Sequence, residues 1–484
     1  MNICFATSEC VPFVKTGGLA DVSGALPKAL AQIGCNVKVF VPLYQSIHTD
    51  KYDLIFASDL YNTQIDADTY HRHFNTWYGK LPDSDVEVYF VDCPGYFHRS
   101  STYTNDMDEG ERFIFFNHAV FSIMQRYNWH PDIIHCNDWQ TSLMPAMAKH
   151  RYNWDSLFQG TASVLSIHNI GYQGRYGQHY VHSAGLPQDF FYPGGPVEYH
   201  GSFSFMKTGV VFADAISTVS PTYAQEIQTP SFGEGLDGIL RTRSQDVWGI
   251  LNGIDTTDWN PSLDPHIAST FDASSLEKKL INKKAVVEEM GLPYREETPV
   301  IGIISRFANQ KGFDLLKPVL ENILYHHDVQ FVVLGSGEQH IEDFFNWAHT
   351  AHPDRVGIYI GYNNGLAHRI EAGSDMFLMP SAYEPCGLNQ MYSLNYGTVP
   401  IVHKIGGLAD TVQDYHEHHG KGNGFSFYEF SPHVLRDTIV RALAVYHDKE
   451  AWNAIVQRGM AQDFTWENSA NIYKELYEYA AGKV

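Results

Sequence analysis

The sequence carries little charge, and most of that charge is negative. Charged residues make up 18% of the 484 residues, and the formal net charge is −22. No run of Lys or Arg offsets the acidic balance, so nucleic acid and anionic membrane surfaces are poor partners for this chain. Because Lys and Arg together number only 33, one that lies beside a Gly-rich turn is a candidate for binding an anion.

Close cysteine pairs, long apolar runs and, in the first residues, the features of a signal peptide are also missing. The six cysteines include no C-x-x-C pair, which argues against a zinc site and against a disulfide framework. The start, MNICFATSEC, lacks the basic region of a signal peptide, and no apolar run reaches the roughly 18 residues of a membrane span. We expect a cytoplasmic protein, or one of the plastid stroma if a transit peptide was removed.

The sequence does contain a repeated alternation of short apolar runs with helical segments. We predict strands at 2–8, 36–42, 86–92, 132–138, 163–169, 215–220, 299–305, 329–335, 356–361, 375–380 and 399–404, and helices that include 19–33, 109–127, 311–325 and 388–396. Runs that are apolar on both faces are typical of parallel strands buried between helices. The alternation therefore predicts an α/β protein with two open sheets.

A segment rich in turn-forming residues, 228–275, separates the two halves of the alternation. We predict a first domain over 1–245, a second over 246–460, and a C-terminal helix within 461–484 that packs back on the first domain. Ligands of open α/β sheets bind beyond the carboxyl ends of the strands. Candidate functional residues are therefore sought directly after each predicted strand.

The phrase KTGGLADV, at 15–22, places a lysine and two glycines after the first strand. Adjacent glycines let the backbone approach a ligand, the following helix offers free N–H groups, and Lys15 adds a positive charge, so the turn suits a phosphate. A simple chain reversal at Gly17–Gly18 is an equal alternative. The related KIGGLADTV, at 404–412, is assigned to a tight turn first.

Asp138 and His168 each end a predicted strand, in HCNDWQ and IHNIGYQG. Asp138 can bind a sugar hydroxyl or cap the following helix, and capping is the commoner role. His168 is either satisfied within the structure or available for chemistry at the end of its strand.

The second half offers two cations and a carboxylate in comparable positions. Arg306 ends a strand and Lys311 follows it, which makes a natural diphosphate clamp, with an exposed surface pair as the alternative. Glu384 follows a later strand, and the N–H groups that open the next helix can cradle a phosphate; these belong to Gly387, Leu388 and Asn389. Cations, carboxylates and a histidine without a metal cluster describe a nucleotide-sugar site.

The motifs KTGGLADV, IHN, SRF…QKG, EPCGL…Q and GGLADTV together resemble bacterial glycogen synthases and plant starch synthases, which form glycosyltransferase family five. The resemblance extends over essentially the whole chain. It implies the GT-B fold, in which two Rossmann-like domains face each other across a cleft. It also implies retaining transfer of glucose from ADP-glucose to the non-reducing end of an α-1,4-glucan, with release of ADP and without a metal or another cofactor.

The resemblance also implies roles for individual residues of the first half. Lys15 and Gly18 match contacts to the donor diphosphate. Asp138 and His168 match contacts to the transferred glucose near its reactive carbon.

In the second half, the resemblance makes Arg306 and Lys311 the diphosphate clamp and Glu384 the carboxylate that holds the glucose hydroxyls. Tyr362 matches an aromatic residue beside the nucleotide base. The remaining matched residues line the turn after Glu384: Cys386, Gly387, Leu388 and Asn389.

Two positions depart from the pattern and leave the donor base open between ADP and UDP. Asn389 stands where bacterial members usually have Thr, and Tyr392 stands where related families carry a second Glu. A GT-B transferase with a small acceptor, a phosphorylase with a pyridoxal phosphate lysine, and a noncatalytic glucan- or nucleotide-sugar-binding protein are the alternatives. A dehydrogenase is disfavoured because GSGEQH, at 335–340, lacks the third glycine of a dinucleotide loop.

Overall fold

The computed structural model describes the backbone of residues 1–67 and 70–484 and the side chains outside 66–71. The chain forms two compact units. Unit 1 comprises Met1–Gly253 with Trp466–Val484, and unit 2 comprises Ile254–Thr465. The chain therefore enters unit 2 at Ile254 and leaves it at Thr465, whereas the sequence placed these boundaries at 245/246 and 460/461.

Unit 1 alternates strands and helices along most of its length. Its strands are β1 (Asn2–Ala6), β2 (Asn36–Pro42), β3 (Ile55–Phe56), β4 (Thr63–Ala67), β5 (Tyr70–Lys80), β6 (Glu87–Asp92), β7 (Ile133–Asn137), β8 (Ala162–Ile167), β9 (Arg175–Tyr176), β10 (Glu198–Tyr199), β11 (Ser202–Ser204), β12 (Ala215–Thr218) and β13 (Val247–Gly249). Its helices before the crossing are α1 (Gly18–Gln32), α2 (Pro94–Phe97), α3 (Glu109–Arg126), α4 (Asp138–Thr141), α5 (Met144–His150), α6 (His179–Ser183), α7 (Phe205–Phe212), α8 (Pro221–Glu226) and α9 (Asp237–Thr242).

Unit 2 repeats the alternation with a smaller sheet. Its strands are β14 (Val300–Phe307), β15 (Gln330–Gly337), β16 (Val356–Ile360), β17 (Met376–Met379), β18 (Val399–His403) and β19 (Phe425–Phe427). Its helices are α10 (Lys279–Glu289), α11 (Phe313–Leu316), α12 (Leu320–His326), α13 (Gln339–Ala351), α14 (Asn364–Gly373), α15 (Asn389–Asn395), α16 (Gly406–Thr411), α17 (Pro432–Tyr446) and α18 (Lys449–Met460), and α19 (Trp466–Ala481) follows in unit 1.

The main sheet of unit 1 has the strand order β13-β12-β8-β7-β1-β2-β6-β5-β3. It is parallel from β13 to β6, while β5 runs antiparallel to β6, β3 and β4. The sequence did not predict this antiparallel edge. Because β1, β7 and β8 are parallel neighbours in the middle of the sheet, their carboxyl ends lie side by side.

The sheet of unit 2 is parallel throughout its described strands, in the order β16-β15-β14-β17-β18-β19. This order places β14 beside β17, so the segments that follow these two strands meet at the same edge. The central strands are buried on both faces, as Ile301, Ile303 and Phe377 show with 0% exposure. Full burial of each such side chain stabilises the fold by ~1.5–3 kcal/mol.

The single helix predicted over 311–325 is wrong. The structure has α11 and α12 there, separated by a turn that contains Pro318. Proline lacks the N–H that a continuous helix requires, and its ring clashes with the carbonyl group four residues earlier. By contrast, α1 runs through Pro27.

The C-terminal helix α19 packs on unit 1 through a buried face. The face includes Tyr473 and Tyr477, which are both 0% exposed. The Tyr477 hydroxyl lies 2.7 Å from Nδ1 of His135, a buried residue of β7. Among the described residues, no helix is long and apolar enough to cross a membrane.

Candidate active site

A buried glutamate shapes the loop that follows β1. Glu9 is 3% exposed, and its Oε2 accepts hydrogen bonds from the backbone N–H of Thr16 and, at 3.0 Å, of Gly17. The Tyr103 hydroxyl donates to Glu9 Oε1 at 2.5 Å. Burial raises the pKa of Glu9, and these donors oppose the rise. The sequence reasoning missed Glu9, although a carboxylate directly after a strand was the signal to notice.

The glycine pair in this loop is not required by the protein itself. A Cβ atom built on Gly17 or Gly18 meets no atom of the described residues within 4 Å. Gly17 has φ −148°, which other residues adopt readily. Neither backbone conformation nor internal packing therefore explains the two glycines, so the room in front of them is available to a ligand.

The second glycine pair behaves differently. Gly406 has φ +46°, and a Cβ there would lie 1.9 Å from the backbone oxygen of Glu384. A Cβ on Gly407 would lie 2.1 Å from the backbone oxygen of Cys386. Lys404 Nζ donates to Glu417 and to the Tyr428 hydroxyl, each at 2.6 Å. Packing within unit 2 therefore explains why this motif contains two glycines.

Lys15 forms an ion pair on the surface. Its Nζ lies 2.7 Å from Asp21 Oδ1, and its side chain is 53% exposed. Exposed pairs contribute little stability, so an anion can compete for Lys15 at small cost.

Asp138 connects the ends of β7 and β8. Its Oδ1 accepts the backbone N–H of His168 at 2.7 Å and that of Asn169 at 3.4 Å. The interpretation of Asp138 as a helix cap is wrong, because the side chain bonds the end of β8 and not the start of α4. Burial raises the pKa of Asp138 to about 7, and nearby Glu9 adds to the rise. Its φ of +56° is a strained backbone conformation for a residue other than glycine.

His168 is held as a neutral imidazole. Asn137 Nδ2 donates to Ala6 O at 3.0 Å, so Asn137 Oδ1 serves as the acceptor for His168 Nε2 at 2.9 Å. This bond pattern assigns the ring proton to Nε2 and leaves a lone pair on Nδ1. Burial lowers the pKa of His168 to about 4. The ring can therefore accept a hydrogen bond from a hydroxyl, but it carries no positive charge near neutral pH.

In unit 2 the edge beyond β14 and β17 brings Lys311 and Glu384 together, although they are 73 residues apart. Lys311 Nζ donates to Glu384 Oε2 at 2.7 Å, and Ser381 Oγ donates to the same oxygen at 2.9 Å. The Glu384 side chain is 9% exposed, and its Oε1 accepts no hydrogen bond from the part of the chain described. That oxygen is thus available to a hydroxyl group.

Arg306, near the end of β14, is exposed and makes no side-chain hydrogen bond or ion pair with any described residue. The guanidinium is therefore a free cation close in sequence to the turn that carries Lys311. The two predicted clamp residues therefore differ: Lys311 forms an ion pair with Glu384, while Arg306 forms none with any described residue.

The turn after Glu384 is anchored to the same strand. Asn389 Nδ2 donates to Ile304 O in β14 at 3.0 Å, so its amide holds the turn beside the strand that carries Arg306. Gly387 has φ +72°, which favours glycine. The buried Gln390, absent from our predicted set, donates to the backbone oxygens of Cys386 and Gly387, each at 3.0 Å.

Two further predicted residues of this region lie just before helices. Leu388 is partly buried directly before α15. Tyr362 precedes α14 and is 85% exposed, so its ring is accessible to a planar group. Among the described residues, no group of three His, Cys, Asp or Glu side chains is arranged to hold a metal ion.

The chain resembles known proteins over nearly its whole length. Residues 2–242 match the family model for the starch synthase catalytic domain, and residues 290–458 match the model for glycosyl transferases group 1. The structure superposes on the catalytic domain of starch synthase IV from Arabidopsis thaliana, bound to ADP and acarbose, with TM-score 0.90 and 33% identity over 99% of both chains. A sucrose-phosphate synthase from Thermosynechococcus elongatus shares the fold at TM-score 0.60 and 16% identity. The chain is thus a glycosyltransferase with the GT-B fold, as predicted.

Curated relatives define the family more narrowly. The chain is 42% identical over 480 residues to the glycogen synthase of Bacillus anthracis, covering 99% of both chains. It is 44% identical over 478 residues to that of Clostridium novyi, covering 99% of this chain and 98% of the relative. The chain belongs to the family of the glycogen synthases and starch synthases, which confirms the predicted resemblance.

The two glycine pairs give a matched test. Gly18→Ala should leave thermal stability nearly unchanged, because in the described part of the chain nothing meets the added methyl group. We expect it to lower kcat/KM for the sugar donor about tenfold or more, because the methyl group enters the open space that we assign to a ligand. Gly407→Ala should destabilise the protein by about 1–3 kcal/mol through overpacking. Melting curves and donor kinetics check both variants, and unchanged kinetics in a folded Gly18→Ala protein would contradict the assignment.

Asp138 should impose a pH dependence on stability. Its folded pKa of about 7 lies above its ordinary value of 3.8, so between these values the folded protein binds the proton more tightly than the unfolded chain. The free energy of unfolding should therefore fall as pH rises from about 4 to 7. Asp138→Asn should lose part of this decline in urea titrations at pH 5 and 7.5. Asp85→Asn, at a side chain 99% exposed, is the control, and identical slopes for both variants would contradict the account.

Proposed function

We propose that the chain transfers glucose from ADP-glucose to the non-reducing end of an α-1,4-glucan, with retention at the anomeric carbon and release of ADP. The observation that carries the proposal is that the exposed Lys15 lies beside Gly17 and Gly18, where no described atom is close enough to require glycine. The similar starch synthase IV structure from Arabidopsis is bound to ADP and acarbose, which supports a nucleotide diphosphate and a glucan-like saccharide as the two reactants.

Cations at the strand ends suit the leaving group. Departure of ADP builds negative charge on the diphosphate, and preorganised cations lower the energy of that state. We assign this role to Lys15, Arg306 and Lys311. The planar guanidinium of Arg306 has N–H groups whose arrangement matches two phosphate oxygens. Lys311 is fixed in place by its hydrogen bond to Glu384.

Carboxylates and the neutral histidine suit the transferred glucose. Glu384 Oε1 and Asp138 can accept hydrogen bonds from sugar hydroxyls, and His168 Nδ1 offers another acceptor. With a pKa of about 4, His168 adds no positive charge next to the electron-poor anomeric carbon. The acceptor hydroxyl attacks from the face that the diphosphate leaves, and a departing phosphate oxygen takes its proton, so no strong protein base is needed.

The nucleotide base is assigned to the exposed ring of Tyr362, and the turn at Cys386, Gly387, Leu388 and Asn389 to the sugar diphosphate. Stacking on an aromatic ring selects a planar group but does not distinguish adenine from uracil. UDP-glucose is therefore the alternative donor. Glycogen, starch or a malto-oligosaccharide is the acceptor in either case.

An incorporation assay tests the reaction. With a glycogen primer, labelled ADP-glucose should give labelled polymer faster than labelled UDP-glucose. Digestion with β-amylase should release the label as maltose, because this enzyme removes α-1,4-linked maltose from non-reducing ends. No incorporation from either donor would overturn the proposal, and label that β-amylase cannot release would overturn the assigned linkage.

The two lysines of the repeated phrase give a matched pair. Lys15→Ala should lower the donor-dependent rate about 100-fold, a typical loss when one stabilising donor to a developing negative charge is removed. Lys404→Ala should change the rate by less than about twofold, because Lys404 is engaged by Glu417 and Tyr428. Steady-state kinetics at fixed glycogen concentration measure both, and equal losses would show that the roles were divided wrongly.

A further inference from the structure

Three side chains from the start of unit 2 each bridge α14 and α15. They are Trp259, Asp264 and Lys279, within the segment 259–279 that leads into and begins α10, which we call the bridging segment. Neither the sequence motifs nor the proposed chemistry accounts for them.

Trp259 is inserted between the two helices. Its ring stacks on His368 of α14 and on Tyr392 of α15, with centroid separations of 3.9 Å and interplanar angles of 8° on both sides. Asn395, the last residue of α15, also donates to Trp259 O at 2.6 Å. Tyr392, which replaces the second Glu of related families, is thus engaged in a stack between helices.

Asp264 joins the same helices by hydrogen bonds. The residue is 1% exposed, and its Oδ2 accepts from His368 Nδ1 at 2.8 Å and from the Tyr396 hydroxyl at 2.6 Å. Tyr396 directly follows α15 and is 0% exposed. A buried carboxylate is costly unless it is bonded in this way, so both partners are held firmly.

Lys279 binds the C-terminal ends of both helices. Its Nζ lies 3.2 Å from Glu371 O and 2.8 Å from Ala372 O in the last turn of α14, and 3.0 Å from Tyr396 O after α15. These are carbonyls that a helix end leaves without internal partners. Nζ also bonds the Thr398 hydroxyl at 2.7 Å. A cation near helix C-termini is favourable.

The Lys279 contacts do not depend on charge alone. Burial lowers the pKa of Lys279 to about 7, and the neutral amine still has two N–H groups to donate. Thr398 supports the arrangement by donating its own hydroxyl to Glu371 O at 2.5 Å.

The opposite ends of these helices carry the proposed donor contacts. Tyr362 lies just before α14, and Asn363 caps it by accepting the Leu366 N–H at 3.0 Å. Leu388 lies just before α15, in the turn assigned to the sugar diphosphate. Helices are stiff rods that rise about 1.5 Å per residue. Contacts in their middles through Trp259 and at their C-terminal ends through Lys279 therefore also fix the spacing of the two groups at their N-terminal ends.

We propose that Trp259, Asp264 and Lys279 are positioning residues that hold the base-binding and diphosphate-binding ends of α14 and α15 in register. This inference rests on the proposed function, because it takes Tyr362 and the turn before α15 as donor contacts. None of the three residues needs to touch the donor.

Lys279→Met tests the proposal by separating donor from acceptor effects. The variant should raise the KM for the sugar donor and the Kd for ADP about tenfold or more, since small misplacements of binding groups cost 10–100-fold. The KM for glycogen should stay within about twofold of wild type, because the three residues are assigned to the donor contacts alone. This selectivity distinguishes the positioning role from general destabilisation, which would not weaken donor binding alone. Lys279→Arg should recover part of the ADP affinity, because its N–H groups can reach the same carbonyls.

Lys284→Met is the matched control. Lys284 lies on the same helix with its side chain 58% exposed, 4.0 Å from Glu288, and its removal should leave both KM values unchanged. If Lys279→Met does not fold, Trp259→Phe retains an aromatic ring of smaller area and should raise the Kd for ADP a few-fold with a cooperative melting transition.

The outcomes distinguish this inference from the proposed function. A folded Lys279→Met or Trp259→Phe protein that binds ADP as tightly as wild type would overturn the positioning role. Parallel rises in both KM values would also overturn it. Failure of wild type to bind ADP or to incorporate glucose would instead overturn the proposed function.

Discussion

Burial of the parallel strands on both faces is the constraint on which the rest of this protein depends. Such strands have no solvent-exposed face that could carry a charged group. Polar functional side chains therefore lie where the backbone leaves the sheet. In unit 1 this edge carries the Glu9 loop, Asp138 and His168. In unit 2 it carries Arg306 and the Lys311–Glu384 pair. The hydrophobic burial that stabilises each unit therefore also brings its candidate functional side chains together at the strand ends.

Carboxylates organise these strand ends in different ways. Glu9 holds a loop by accepting backbone N–H groups, Asp138 ties the end of one strand to the next, and Glu384 binds a lysine. In each case a desolvated oxygen is compensated by fixed donors, which makes the surrounding backbone rigid. Asp264 applies the same principle away from the strand ends, where it holds α14 and α15 together.

Much of the fold could be read from periodicity and spacing, because parallel strands and their helices leave strong apolar patterns. The central strands, α1 and α3 lie within a few residues of their predicted positions. The split at Pro318 and the antiparallel edge formed by β3, β4 and β5 were missed. Edge strands are half exposed and lack a continuous apolar run, so their pairing is decided by neighbours that are distant in sequence.

For the candidate site, the sequence by itself determined which residue types follow which strands, and hence the family and the set of candidate contacts. Only the tertiary structure decided how they are used: Lys311 bonds Glu384, Asp138 binds the end of β8 and caps no helix, and His168 is neutral. It also separated the two glycine pairs, one facing open space and one pressed against backbone. The reason is physical: charge state, hydrogen-bond partner and steric room depend on atoms far along the chain, which a local motif does not contain.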